Sequence, residues 1–212
     1  MDNVLIFGSS GTLGSECAKY FAEKKWNVLT TDRNVKEINS YKNLNAVVWA
    51  QGANLTASLQ QMEKAQWDEI WEANFFFVVK TLKTLLDNNS FAEGARLVVF
   101  SSVWEVVARK DKSAYISSKA AVGGLIRSMA CELGDKNISI NGVLPGIIDS
   151  PMTRKNLSSD QVNQIIDQTP GNKLVKPEEI ASIAEFLVSK NSQGINGQSI
   201  TVDNAWTISR NV

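Results

Sequence analysis

Tyr115 and Lys119 stand four residues apart in Tyr-Ile-Ser-Ser-Lys, and Ser102 lies thirteen residues before the tyrosine. One helical turn brings the phenol and the ammonium onto the same face. A free tyrosine titrates near about 10, which makes it a poor proton donor or acceptor at neutral pH. A neighbouring cation favours the phenolate and brings the group towards working pH. A serine hydroxyl close by can hold a substrate oxygen as charge develops on it. In isolation Tyr-x-x-x-Lys is also what any amphipathic helix can carry as a surface pair. Its meaning depends on the elements that position it.

Those elements read as strand and helix in alternation. Val4-Leu5-Ile6-Phe7 is a short apolar run ending at Gly8, suited to a buried parallel strand. The patterning predicts a helix over Leu13–Lys25, strands over Asn27–Thr31 and Ala46–Ala50, and a helix over Trp67–Asp87. Leu97–Phe100 is a further strand that delivers Ser101 and Ser102 at its carboxyl end. Adjacent strand residues face opposite ways, and the spacing to the tyrosine selects Ser102 over Ser101. A helix over Ala114–Leu133, a strand over Ile138–Leu144, a helix opening at Pro177 and a last strand over Ser199–Val202 complete the series. Such alternation predicts an α/β fold, a Rossmann-type doubly wound parallel sheet in three layers, with residues 1–212 as one domain.

The turn after the first strand is Gly8-Ser9-Ser10-Gly11-Thr12-Leu13-Gly14. Glycine lets the backbone approach a pyrophosphate, and the helix amino end offers free N–H groups. Eighteen residues after Gly14 comes Asp32, where a carboxylate accepts from an adenosine ribose and repels a 2′-phosphate. Arg33 cuts the other way, since a guanidinium can pair with that phosphate. NAD is expected ahead of NADP.

Composition excludes several classes. Lys plus Arg and Asp plus Glu both total 22, so no basic excess marks a nucleic-acid binder. No apolar run is long enough to span a membrane, and Val4 begins a strand where a signal peptide would lie. Cys17 and Cys131 read as buried, reduced thiols of a cytoplasmic protein. With no histidine there is no Ser-His-Asp triad, and ligand spacing for zinc is missing.

Along nearly its whole length the chain resembles the short-chain dehydrogenase/reductase family. Gly8, Gly11 and Gly14 resemble its nucleotide loop, in the Gly-x-x-Gly-x-x-Gly spacing of extended, atypical and dihydropteridine-reductase-like members. Trp49-Ala50-Gln51-Gly52 takes the place of the family's Asn-Asn-Ala-Gly. Trp67-Asp68 with Glu72-Ala73-Asn74 resembles the segment that carries a catalytic asparagine. Pro145 to Arg154, Lys173 to Glu179 and Gly197 to Asp203 resemble 3-oxoacyl reductases. The resemblance implies Asn74, Ser102, Tyr115 and Lys119 as catalytic residues. Cofactor contacts would come from Gly8, Ser10, Gly11, Thr12, Leu13, Gly14, Asp32, Arg33, Gln51, Gly52, Tyr115, Lys119, Pro145, Gly146, Ile148 and Ser150. In this picture Lys119 holds the nicotinamide ribose and lowers the pKa of Tyr115, Tyr115 moves the proton, Ser102 polarises the carbonyl, and Asn74 supports a water chain. Ser150, with backbone at Ile148, fixes the carboxamide. The family also implies a homodimer or homotetramer, paired through the helix carrying Phe75 to Val79 and the Tyr115 helix. That first helix is expected to be buried on two sides. Trp104 and Glu105, after the serine, read equally as pocket or surface and are left out of the site.

One departure is physical. Only thirteen residues separate Asp32 from Ala46, too few for the helix, parallel strand and helix that the family fits there. The usual third strand is therefore expected to be lost or reduced to a stub around Val35 to Asn39. Asn39 is then the candidate to touch adenine. Three functions stay open: an NAD(P)-dependent oxidoreductase on a small carbonyl or alcohol, a non-catalytic dinucleotide sensor or scaffold, and a dihydropteridine-type reductase. Substrate identity does not follow from these residues.

Overall fold

The computed structural model describes residues 1–31 and 38–209. Asp32 and Arg33 lie outside the described residues. Six parallel strands form one sheet: β1 (Asn3–Phe7), β2 (Asn27–Thr31), β3 (Leu44–Trp49), β4 (Phe91–Phe100), β5 (Ser139–Pro145) and β6 (Ser199–Val202), in the spatial order β2-β1-β3-β4-β5-β6. The helices are α1 (Thr12–Glu23), α2 (Lys64–Trp71), α3 (Phe77–Asp87), α4 (Ser113–Gly134), α5 (Pro151–Asn156), α6 (Ser159–Gln168) and α7 (Pro177–Val188).

Strand periodicity explains why the middle strands are apolar throughout. Leu5 and Phe7 enter one core with Val47, Trp49, Leu97 and Val99, which α3 and α4 cover through Val78, Leu82, Val122 and Ile126. Val4 and Ile6 point the other way, into a second core with Val48, Val98, Cys17, Phe21, Ile180, Ala184 and Leu187. Two buried faces need two apolar sets. Trp49 stacks on Phe7 with centroids 5.6 Å apart and places its Nε1–H on Thr81 Oγ1 at 2.8 Å.

Strand order reverses between β1 and β3, because β2 lies on one side of β1 and every later strand lies on the other. That reversal opens a crevice at the carboxyl ends of β1 and β3. Among the described residues no strand lies beyond β2, which makes it the edge, in keeping with the short 33–45 connection. The expected stub is not a strand where it is described. Ile38 has helical backbone and is fully buried in the first core; residues 35–37 lie outside the described residues. Asn39 accepts a hydrogen bond from Asn88 Nδ2 at 2.8 Å, near where β3 and β4 begin. That is the end of the sheet opposite the crevice, so Asn39 is corrected out of any adenine contact.

Other boundaries moved for local reasons. The 67–87 helix begins earlier, at Lys64, where Glu63 and Gln66 form a capping box. It is also interrupted by a π-helical turn at Glu72–Phe76. Phe76 is 44% exposed, so this segment is buried on one side only in the single chain. Cys17 is buried as expected, but Cys131 is exposed, on the outer face of α4. Two short helices that the patterning did not announce, α5 and α6, follow β5.

Candidate active site

The glycine turn forms because side chains would not fit. Gly8 has φ +80°, and a Cβ there would lie 2.7 Å from Gln51 N. At Gly14 a Cβ would lie 2.1 Å from Gly8 O, so the start of α1 packs directly on the end of β1. Gly11 N–H donates to Gly8 O at 3.0 Å, and Gly11 is the residue before the helix, with no side chain capping its first turn. Thr12, Leu13 and Gly14 therefore present backbone N–H groups at an uncapped helix start. Ser10 lies on the outer, exposed side of this turn.

Gln51 and Gly52 follow β3 and face the same crevice. Gln51 Oε1 is buried with no hydrogen-bond partner among the described residues. A Cβ on Gly52 would meet Asn74 Oδ1 at 3.0 Å and Lys119 Nζ at 3.7 Å. Gly52 is thus where the loop after β3 meets Asn74 and Lys119.

Asn74 is held on both sides of its amide. Its Oδ1 accepts from Ala53 N–H at 2.8 Å, and its Nδ2 donates to Ala53 O and Ser118 Oγ, each at 3.0 Å. It lies inside the π turn, whose wider spacing is closed by the Phe77 N–H to Glu72 O bond. Sequence patterning sees a continuous helix there and misses the turn. It also misses Ser118, which stands inside the Tyr-Ile-Ser-Ser-Lys motif and receives the amide.

Ser102 lies two residues past the end of β4, and its hydroxyl acts on the Tyr115 phenol to favour ionisation. Ser101 faces elsewhere, towards Lys119 O at 3.4 Å. Lys119 is buried, with Nζ 5.8 Å from the Tyr115 ring centroid and donating to Phe100 O at 2.9 Å. Burial lowers its pKa from 10.5 to about 8, with the Glu105 carboxylate pulling upwards. Burial raises the Tyr115 phenol above its ordinary value, and the Ser102 hydrogen bond works against it. The expected net lowering by Lys119 is thus reversed here. Desolvation opposes the phenolate, while the lysine is itself pushed towards neutrality and aimed at a carbonyl.

On the far side of the crevice, Gly146 N–H donates to Val202 O at 2.9 Å, and a Cβ there would lie 2.7 Å from Asp203 Cβ. Pro145 closes β5 beside it. Ile148 bridges Val175 through the neighbouring groups, Ile147 O and Asp149 N–H, so the bridge does not use its own N–H and C=O. Ser150 caps α5, its Oγ accepting from Thr153 N–H at 3.2 Å and lying 3.1 Å from Thr153 Oγ1. Trp104, two residues after Ser102, packs edge-on against Trp206 with centroids 5.7 Å apart. Glu105 is no surface residue. Its Oε1 accepts from Ser199 Oγ at 2.9 Å, and its Oε2 is buried without a partner among the described residues.

A parallel α/β sheet with a glycine turn at its order reversal and a Ser-Tyr-Lys set across the crevice defines a dinucleotide-dependent class of fold. The comparisons with known proteins give the family. Residues 35–207 match the family described as enoyl-(acyl carrier protein) reductase. The 3-oxoacyl-[acyl-carrier-protein] reductase of Thermotoga maritima is 30% identical over 173 residues, 82% of this chain and 70% of that protein. Two solved structures share the fold. The ligand-free aldohexose dehydrogenase of Thermoplasma acidophilum matches with TM-score 0.91 at 24% identity, covering 100% of this chain and 96% of that one. A 4-hydroxyisoleucine dehydrogenase complexed with NADH matches with TM-score 0.87 at 21% identity, covering 99% and 100%. The chain belongs to the short-chain dehydrogenase/reductase family of oxidoreductases. The family description and the relative differ in reaction, enoyl against 3-oxoacyl reduction, so the family, not the substrate, is what they share. Among the described residues, no helix is long and apolar enough to cross a membrane.

Proposed function

We propose that the chain is an NAD(P)-dependent oxidoreductase that interconverts a carbonyl and a secondary alcohol on a small molecule, with residues 1–212 acting as one catalytic unit. The observation that carries this reading is that Asn74 and Lys119 meet at Gly52, Lys119 and Ser102 both lie against Tyr115, and Gln51 abuts the glycine turn.

The residues present fit a dinucleotide. Close backbone packing at Gly8 and Gly14 sets the start of α1 directly on the end of β1, and the orphaned Gln51 Oε1 offers an acceptor beside it. The uncapped N–H groups at Thr12 to Gly14 suit the pyrophosphate, and Lys119 suits a ribose hydroxyl. Pro145, Gly146, Ile148 and Ser150 line the end expected to take the carboxamide. When bound, the nicotinamide supplies or accepts the hydride.

Tyr115 keeps its proton at neutral pH, because burial holds its pKa up. It therefore serves as the acid for carbonyl reduction, with Ser102 as second donor to the substrate oxygen. Lys119, with a pKa of about 8, can both hold and release a proton near working pH. Asn74 ties the loop at Ala53 to the Ser118 hydroxyl of α4, which keeps Lys119 and Gly52 in register.

Asp32 favours NAD over NADP through its repulsion of a 2′-phosphate. A homodimer or homotetramer is supported by the aromatic row of half-buried Trp67 and Trp71 with exposed Phe76, whose rings pack on one another. Titration of the intrinsic tryptophan fluorescence with NADH and NADPH tests the cofactor, and a screen of ketones against loss of reduced nicotinamide tests the reaction. Quenching by NADH well below the concentration needed for NADPH is expected. Binding of neither dinucleotide overturns the reading.

A further inference from the structure

Lys112 is a second buried lysine at the Tyr115 ring, and no role described above uses it. Its side chain is 5% exposed, and its Nζ lies 5.8 Å from the Tyr115 ring centroid, the same distance as Lys119 Nζ. It stands at the start of α4, three residues before Tyr115, so both side chains share a face. Its one hydrogen bond runs to Asn54 Oδ1 at 2.6 Å, a neutral acceptor on the loop that follows Gly52. The same loop is tied to the preceding residue by Ala57 N–H to Asp111 O at 2.9 Å. Among the described residues, no carboxylate is ion-paired with Lys112. Asp111 precedes it with a left-handed φ of 63°, and its carboxylate forms no bond to the ammonium.

A buried ammonium without a counter-charge is costly, and the molecule registers that cost. Desolvation, with the Arg109 charge adding to it, lowers the Lys112 pKa to about 8. An ammonium has three donors, and Asn54 occupies one. A structural strap to Asn54 needs no charge, since an amide would serve. The charge makes a cation–π contact with the Tyr115 ring, and the donors that Asn54 leaves free can pair with an anion brought there.

We propose that Lys112 binds a carboxylate of the substrate, so that the enzyme acts on an oxo acid or the corresponding hydroxy acid. This rests on the oxidoreductase reading for its turnover but not for its binding. The carboxylate lies against Lys112 while the carbonyl to be reduced lies against Ser102 and Tyr115. Arg109, exposed nearby, adds to the positive field at this mouth.

The test pairs acids with their uncharged esters. Levulinate and acetoacetate are compared with their ethyl esters, and inorganic phosphate is included, all at matched ionic strength. Binding is read by thermal shift and tryptophan fluorescence with and without NADH, and turnover by nicotinamide absorbance. In the wild type, an acid is expected to bind at least tenfold tighter than its ester. Lys112→Gln, which can still donate to Asn54, is expected to remove that preference and raise KM for the acids while leaving the esters' KM unchanged. Lys112→Arg should restore much of it, and Asn54→Ala, which removes the strap but not the charge, should keep it. Phosphate bound as tightly as the acids would overturn the carboxylate assignment. Equal binding of acids and esters, or an acid preference that survives Lys112→Gln, would overturn the site. Acid-selective binding without turnover of any carbonyl would uphold it and sink the oxidoreductase reading instead.

Discussion

Gly123 makes the slot that Glu105 occupies. A Cβ built on Gly123 would lie 2.2 Å from Glu105 Oε1 and 2.6 Å from its Cδ. The carboxylate thus sits against the middle of α4, held there by the Ser199 hydroxyl of β6. Its own backbone N–H donates to Ser102 O at 2.9 Å, so the turn behind the serine is fastened to two neighbouring elements through one side chain.

Gly123→Ala has opposite signs in two backgrounds. Alone it forces the carboxylate out of its slot and breaks the Ser199 bond, destabilising by about 1–3 kcal/mol as overpacking does. With Glu105→Ala the slot is free, and removing a helical glycine stabilises by about 1 kcal/mol. Urea unfolding of the four proteins in this cycle measures both. The same sign in both backgrounds would show that the contact does not govern the site.

Tyr115→Phe removes the proton donor but keeps the ring that packs beside Lys112 and Lys119. General acid–base groups contribute about 10²–10⁴ in rate, and a kcat loss of that order is expected. NADH binding, read by fluorescence, should change less than about threefold, since the phenol is not a main binding contact. A kcat within tenfold of wild type would remove Tyr115 from the acid's role.

Asn74→Ala takes the amide partner from Ala53 N–H and Ala53 O, which are half-buried, and from Ser118 Oγ, which keeps its bond to Tyr115 O. Unmet polar groups of this kind cost about 1–3 kcal/mol each at most, and a drop of that order in stability is expected. The loop at Gly52 should loosen as well. Hydrogen exchange at Ala53 N–H, faster in the variant, checks that the loss is local.

Stability should rise with pH through part of the alkaline range. The native pKa values of Lys112 and Lys119, about 8, lie below the ordinary 10.5, so between these values the unfolded chain binds more protons. Burial raises Tyr115 and Cys17, the latter to about 12, and these groups act in the opposite sense once the unfolded chain begins to lose those protons near their ordinary values of 10 and 9. A melting temperature that climbs from about pH 8, more gently once Cys17 opposes it above about 9, levels near about 10 and falls above about 10.5 is expected. Lys112→Gln should flatten the climb, and an unchanged climb would contradict the burial of that charge.

What was legible in the sequence follows from how local each signal is. Val4 to Phe7, Gly8, Gly11 and Gly14 announce themselves because a buried strand and a tight turn are written in consecutive residues. Tyr115, Lys119 and Ser102 could be read from spacing and resemblance. Lys112 could not, because nothing in a lone lysine before Ser113 shows that it will be buried. Glu105 depends on a glycine eighteen residues away that leaves space for it. The π turn stayed hidden because one extra residue in a hydrophobic helix changes geometry without changing composition. Asn39 was misplaced for the same kind of reason: counting along the chain does not tell which end of a sheet a short connection returns to.

The wide turn around Asn74 carries a consequence for insertions and deletions. A helix advances by about 100° per residue, so removing Ala73 or Phe75 would relax the backbone into an ordinary spiral and swing the Asn74 amide away from Ser118. Such a shortened protein would gain regularity and lose its grip on the centre. Length, at this one place, is under tighter constraint than side-chain identity on either flank.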